Sequence, residues 1–151
     1  MNDFSSDYES IDSITKAVYE VISGPAGEQR DWDRFRTFFA PGARLIPLGR
    51  TQDGGNRISP LLVDEYISRV GDFFMNNGFF EVEIARTTEQ YGSIAHHFSS
   101  YESRRAEEDE KPFARGVNSF QLVHDGTRWW VVTIFWQGET PDVPIPDKYL
   151  Q

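Results

Sequence analysis

Apolar residues recur at helical spacing in three segments of the first half of the chain. In the first segment, which ends before Gly24-Pro25, the repeating positions are Ile14, Ala17, Val18, Val21 and Ile22. The second segment begins after the capping residue Asp31 and ends before Pro41-Gly42, and its aromatic stripe comprises Trp32, Phe35, Phe38 and Phe39. The third segment follows Ser59-Pro60, a cap and a proline suited to the first helical position, and ends at Asn76-Asn77-Gly78. We therefore predict three helices.

The second half of the chain loses the helical period. From Phe79 onward, stretches rich in β-branched and aromatic residues alternate with turn signals, which predicts strands at 79–90, 93–105, 113–124 and 128–137. A shorter strand is predicted from Ala43 to Leu48. Asp125-Gly126 suits a tight hairpin turn, so we expect neighbouring strands to be antiparallel. The pattern predicts an α+β fold in which three N-terminal helices cover a curved antiparallel sheet and enclose a pocket of small-molecule size.

Composition narrows the classes of function. The 151 residues predict a single domain over 1–151, with a core at about 8–138 and a proline-rich, extended tail at 139–151. A net charge of -9 argues against nucleic acid and anionic membranes as partners. The first residues lack the pattern of a secretory signal and no stretch is long enough to span a bilayer, so we expect a cytoplasmic protein. With no cysteine, thiolate chemistry is excluded.

Histidine, tryptophan and arginine supply the candidate site residues, since the familiar catalytic motifs are missing. His96 and His97 point to opposite faces of a strand, so they cannot bind one metal ion together. A lone strand histidine is more often structural, but titration near neutrality keeps one of them a candidate. Strand alternation places Trp130 and Trp136 on one face and Trp129 on the other, where core packing and a cavity floor are both open. Nothing in the sequence indicates a metal or an organic cofactor.

The order of elements, with three phrases of sequence, resembles the nuclear transport factor 2-like superfamily. The phrases are DWDRFRTFFAPGARL, GSIAHHFSSYESR and DGTRWWVVTIFWQ, and the resemblance covers roughly residues 8–138. Members of that superfamily include ketosteroid isomerase, scytalone dehydratase, limonene epoxide hydrolase and SnoaL-like polyketide cyclases. The resemblance implies a cone-shaped, cystatin-like α+β barrel and a homodimer whose outer sheet faces pack together. It marks the fold more than the function, because one fold hosts enzymes and binding modules alike.

Matching to the ketosteroid isomerases gives three residue-level expectations. Tyr19 falls where that family has its tyrosine, and Asn118 falls where it has a protonated aspartate, so both remain candidate donors to an oxyanion. Pro47 occupies the position of the catalytic base, and proline cannot accept a proton. We therefore do not expect isomerase activity of the steroid type.

The same matching implies a cavity face with one histidine. It places His97, Ser99 and Tyr101 beside Asn118 and Phe120, and Trp136 and Arg115 complete the set of candidate ligand contacts. The leading hypothesis is a pocket for an apolar or aromatic metabolite, with His97, Tyr19 and Asn118 as catalytic candidates in a cofactor-independent lyase, isomerase or cyclase. If there is catalysis, we expect His97 to carry the proton. The alternative is a non-enzymatic dimeric binding or assembly module.

Overall fold

Three helices and a six-stranded sheet make up the fold in a computed structural model that describes residues 3–151. The helices are α1 (Ile11–Ile22), α2 (Trp32–Arg36) and α3 (Val63–Asn76). The strands are β1 (Phe39–Arg50), β2 (Asn56–Ile58), β3 (Phe80–Tyr91), β4 (Ile94–Arg104), β5 (Ala114–His124) and β6 (Trp129–Gly138). Short 3-10 turns lie at Ser5–Tyr8 and Asp147–Tyr149. The α+β architecture predicted from the sequence is confirmed.

The sheet has the strand order β2-β1-β6-β5-β4-β3. The four long strands β3 to β6 form an antiparallel meander, as the turn signals predict. Strand β1 joins the meander beside β6 and runs parallel to it, with Phe39 opposite Val131 and Pro47 opposite Trp136. The sheet is therefore mostly antiparallel, with one parallel pair of long strands. The sequence did not predict this pair, because pairing between strands so distant in sequence leaves no trace in local patterns.

Two helix boundaries differ from the sequence prediction. Helix α2 ends at Arg36, and Phe39 already belongs to β1, because Pro41 and the residue before it favour extended backbone. Helix α3 begins at Val63 rather than after Ser59-Pro60, since Leu61 exchanges two backbone hydrogen bonds with Leu45 of β1. The predicted cap at Ser59 is therefore wrong.

A β-bulge in β6 changes which tryptophans face inward. Thr133 lies opposite Gln121 and Val131 opposite Leu122, so Val132 is an extra residue on β6. The extra residue reverses the alternation, and both Trp129 and Trp136 consequently lie on the inner face. The prediction that these two point to opposite faces is wrong, because strict alternation assumes an unbroken strand.

The buried guanidinium of Arg30 fixes the end of α1. It donates hydrogen bonds to four backbone carbonyl oxygens, those of Ile22, Gly24, Pro25 and Glu28. Burial lowers the pKa of Arg30 from its ordinary value, but the four acceptors satisfy the charge. Its guanidinium carbon also lies 4.7 Å from the ring centroid of Phe74. The contact joins the α1 terminus to α3.

The segment after β6 packs against the outer face of the sheet. Ser100 Oγ of β4 donates to the carbonyl oxygen of Tyr149 at 2.6 Å, and the Tyr149 ring meets Phe98 edge-on at 5.2 Å. Ile145 is buried, and its amide donates to Glu139 at 2.8 Å. Separately, none of the helices formed by residues 3–151 has the length and apolar character needed to cross a membrane.

Replacing Arg30 by Met should destabilise the fold by about 3 kcal/mol, because four carbonyl oxygens lose their donor and two of these hydrogen bonds are buried. Urea unfolding followed by circular dichroism measures the change. Arg69, exposed on α3, supplies the control Arg69→Met, which should alter stability by less than about 0.5 kcal/mol. Equal effects of the two substitutions would contradict the role assigned to Arg30.

Candidate functional site

A cavity of about 190 Å³ lies between the three helices and the inner face of the sheet. Its walls are mainly aromatic, with rings from every layer of the fold, including Phe35, Phe74, Phe120 and Trp136. Phe73 of α3, 39% exposed, marks its rim. Cavities of this kind, apolar with few polar groups, are typical of small-molecule sites.

Glu81 of β3 brings a carboxyl group to the cavity wall. As a residue it is half-buried, because it borders the empty space, but its carboxyl group lies deep inside the protein. Ser103 Oγ donates to Glu81 Oε1 at 3.1 Å. Burial raises the pKa of Glu81 to about 7, against the opposing effects of the hydrogen bond from Ser103 and of the Asn118 amide. This carboxyl can therefore gain or lose a proton near neutral pH.

A chain of hydrogen bonds runs from the cavity wall toward the surface. Asn118 Nδ2 donates to Tyr19 Oη at 2.9 Å, and Tyr19 Oη lies 2.6 Å from Ser99 Oγ. Ser99 Oγ donates in turn to a carboxylate oxygen of Glu83. Glu83 forms a two-pronged ion pair with Arg86, at 2.8 and 3.0 Å. Asn118 is the member of this chain that touches the cavity.

Tyr19 and Ser99 stand behind the cavity wall. Both are buried, and neither borders the empty space. Burial, followed by the nearby Glu81 charge, raises the pKa of Tyr19 above its ordinary value, so its hydroxyl stays protonated. The roles predicted for these two residues in catalysis and ligand contact stay predictions, and the structure shows them as partners of Asn118.

His97 is also buried away from the cavity. It is 1% exposed, and its ring centroid lies 4.7 Å from that of Phe120. Nε2 lies 3.5 Å from Thr15 Oγ1, which itself donates to the carbonyl oxygen of Ile11, and Nδ1 has no partner among the described residues. Burial, assisted by Arg86, lowers the pKa of His97 to about 3. The ring is therefore neutral at physiological pH, and proton transfer by His97 stays a prediction.

Of the remaining candidate ligand contacts, two line the cavity and two do not. Phe120 and Trp136 line the cavity with Asn118. Tyr101 is buried with its hydroxyl against Gly116, where any side chain would collide with it. Arg115 donates to both carboxylate oxygens of Glu139, at 2.9 and 3.1 Å, and does not border the cavity.

Glu81 is the residue that sequence reasoning missed. In the segment FEVEIAR, Glu81 and Glu83 alternate with Val82 and Ile84, so one face of β3 carries carboxyl groups and the other carries apolar side chains. The usual interpretation turns the apolar face inward, but Val82 and Ile84 are 48% and 36% exposed. The signal that could have identified Glu81 is its pairing opposite Ser103, an inward position of β4.

A metal centre has no support in the arrangement of acidic and imidazole side chains. Among residues 3–151, no group of three or more histidine, aspartate or glutamate side chains is placed to hold a metal ion. The side chains that line the cavity offer carboxyl, amide and aromatic groups.

Comparison with known proteins identifies the fold. No family model matches the chain, and no curated protein matches it. A protein of unknown function with a cystatin-like fold from Nostoc punctiforme is similar in structure, with a TM-score of 0.63 and 14% identity over 89% of this chain and 91% of its own. An NTF2-like protein of unknown function from Pseudomonas putida gives a TM-score of 0.62 and 10% identity over 90% of each chain.

A third similar structure is the yeast UBP3-associated protein BRE5, with a TM-score of 0.58 and 12% identity over 85% of this chain and 92% of that one. At such identities the likeness shows the fold alone. The chain has the NTF2-like, cystatin-like α+β fold, which confirms the fold expected from the sequence.

Replacing Glu81 by Gln should remove a pH-dependent loss of stability. Since burial raises the pKa of Glu81 from 4.5 to about 7, the folded protein keeps a proton that the unfolded chain releases between these pH values. Stability therefore falls as pH rises through this window, by up to about 3 kcal/mol at pH 8.

Urea unfolding from pH 5 to 8 tests this expectation. The free energy of unfolding of Glu81→Gln, relative to that of the wild type, should increase as pH rises. The contribution of His97 cancels in this comparison, because both proteins contain that residue. Glu107→Gln, on the exposed loop between β4 and β5, is the control and should show no such trend. A pH-independent difference for Glu81→Gln would contradict the burial of this charge.

Proposed function

We propose that the cavity binds a small, uncharged, largely apolar molecule of about one ring, and that Glu81 transfers a proton to or from it. The observation that carries this proposal is a carboxyl group of raised pKa at the wall of an aromatic cavity. General acid–base catalysis is most effective when the pKa of the catalytic group lies near the working pH. An isomerisation or an elimination is the matching reaction class.

The size of the cavity supports a one-ring ligand. An apolar cavity of about 150 Å³ holds one benzene molecule. The volume of about 190 Å³ leaves room for a ring with one small substituent. Pro47, at the position where the resemblance expects the base of a steroid isomerase, lies on β1 opposite Trp136 and has no proton to exchange.

The charges around the cavity support an uncharged ligand. No Lys, Arg or His is among the residues that line it within 3–151, so an anion would meet Glu81 without a compensating cation. Asn118 supplies the amide beside Glu81, and it favours the ionised carboxylate that can accept a proton from the ligand. We assign proton transfer to Glu81 in preference to His97, which does not reach the cavity wall.

Binding can be tested with a matched set of one-ring compounds. We expect cyclohexanone, phenol and benzyl alcohol to bind in calorimetric titrations, and benzoate to bind at least about tenfold more weakly, because its charge would be buried beside Glu81. Val70→Phe, which fills the cavity from α3, should abolish binding. Ile67→Phe on the same helix, at a position that does not line the cavity, should retain it. Tighter binding of benzoate, or equal binding by both variants, would contradict the proposed site.

Catalysis can be tested by comparing turnover of cyclic ketones, phenols and epoxides. Glu81→Gln should lower kcat by at least about 100-fold, the scale of a lost general acid or base. Glu107→Gln should leave turnover unchanged. His97→Ala separates proton transfer by His97 from proton transfer by Glu81. If His97→Ala removes activity and Glu81→Gln does not, the assignment to Glu81 fails.

The alternative function, an assembly module, is favoured by the outer face of the sheet. Val82, Ile84, Phe98 and Phe135 are each at least 36% exposed there. An apolar surface of this kind is typical of a protein contact. We propose that two copies of the chain associate through it, whether or not the cavity is catalytic.

Association can be tested by sedimentation velocity. Wild-type protein should sediment as a dimer, and Phe135→Glu should sediment as a monomer, because a charge would be buried in the contact. Arg69→Glu, a charge change on the exposed side of α3, should leave the dimer intact. A monomeric wild-type protein would contradict this proposal.

A further inference from the structure

The hydrogen bonds behind the cavity wall have a fixed direction. The ionised Glu83, paired with Arg86, can only accept, so Ser99 Oγ must donate to it. The Ser99 oxygen is then free to accept the hydroxyl proton of Tyr19. Tyr19 Oη in turn accepts from Asn118, and only the amide nitrogen of Asn118 can donate. The orientation of the Asn118 amide thus depends on the Glu83 carboxylate, to which it is linked through Tyr19 and Ser99.

We propose that Ser99 is a positioning residue, which turns the Tyr19 hydroxyl away from the cavity and so holds Asn118 with Nδ2 between Tyr19 Oη and the Glu81 carboxyl group. This inference rests on the proposed function of Glu81, because it explains how the cavity keeps a donor beside that group. Asn118 and Glu81 both line the cavity, and the Asn118 amide lowers the pKa of Glu81 against the effect of burial. Only the N–H groups of Nδ2 can stabilise the ionised carboxylate, so Nδ2 is the amide atom that lowers this pKa.

Loss of the Ser99 hydroxyl should reverse the amide. In Ser99→Ala the Tyr19 hydroxyl loses its acceptor and turns to Asn118, which can accept only through Oδ1. The reversed amide places Oδ1 toward Glu81 in exchange for Nδ2. A carboxylate facing an amide oxygen is destabilised, so the pKa of Glu81 should rise. Burial and the hydrogen bond from Ser103, the other influences on the pKa of Glu81, are left in place by the substitution. So are Tyr66 and Tyr101, whose own pKa values the Glu81 charge raises.

Ser100 provides a matched control for Ser99. The two serines are neighbours on β4, 0% and 1% exposed, and each donates one side-chain hydrogen bond. Ser99 faces the interior, whereas Ser100 faces outward and donates to Tyr149. A defect of folding or packing in β4 would affect both variants, but reversal of the Asn118 amide would occur only in Ser99→Ala.

A second substitution separates positioning from the loss of a nearby polar group. In Tyr19→Phe, Asn118 has neither a donor nor an acceptor at that position, and the amide can still direct Nδ2 to Glu81. The double variant Tyr19→Phe/Ser99→Ala should therefore recover a pKa for Glu81 close to that of the wild type. A role for Ser99 that is merely structural would predict no such recovery.

The experiment is a pH titration of the Glu81 carboxyl carbon by NMR, with Glu81→Gln assigning its signal. We expect a midpoint about one pH unit higher in Ser99→Ala than in the wild type, because a hydrogen bond to a charged group is of that size. Ser100→Ala should match the wild type. The side-chain amide signals of Asn118 should move in Ser99→Ala alone.

The outcomes separate this inference from the proposed function. A wild-type midpoint near the ordinary value of a glutamate would overturn the function of Glu81 itself. A raised wild-type midpoint that is unchanged in Ser99→Ala, or equally changed in Ser100→Ala, would overturn only the positioning role of Ser99. A higher Glu81 midpoint in Ser99→Ala, together with a midpoint close to the wild-type value in the double variant, would support the positioning role of Ser99.

Discussion

Burial of one carboxyl group among aromatic rings is the constraint on which the site depends. Moving Glu81 out of water disfavours its ionised form, and the hydrogen bond from Ser103 and the nearby Asn118 amide offset part of that cost. Asn118 is in turn held by Tyr19, Ser99 and the Glu83–Arg86 ion pair. The polar groups of the inner sheet face are therefore connected, and they leave Glu81 poised between its two protonation states.

The sequence predicted the elements better than their arrangement. Helix α1 and the four long strands were predictable because periodicity and turn signals are local. The parallel pairing of β1 with β6, and the extra residue Val132 that turns Trp129 inward, depend on contacts distant in sequence. Within the site, the matching to related folds selected Asn118, Phe120 and Trp136, which do line the cavity.

Glu81 was missed because hydrophobicity indicated the wrong face of β3. Val82 and Ile84 resemble core residues, yet they lie on the exposed outer face of the sheet, and the charged alternate positions point inward. His97 was predicted to carry the proton because histidine titrates near neutral pH. It does not line the cavity, and nothing in the sequence shows how far the cavity extends. The helices and the sheet set the position of the cavity, whereas the proposed function rests on the few polar groups that line it.

The most direct measurement is the titration of the Glu81 carboxyl group in the wild-type protein, followed by carbon NMR. We expect a single midpoint near 7, since burial in the aromatic cavity raises the pKa of this group. We also expect the midpoint to move when cyclohexanone occupies the cavity, because the ligand would contact that carboxyl group. A midpoint near 4.5, unchanged by the ligand, would contradict both the buried carboxyl and the proton transfer assigned to it.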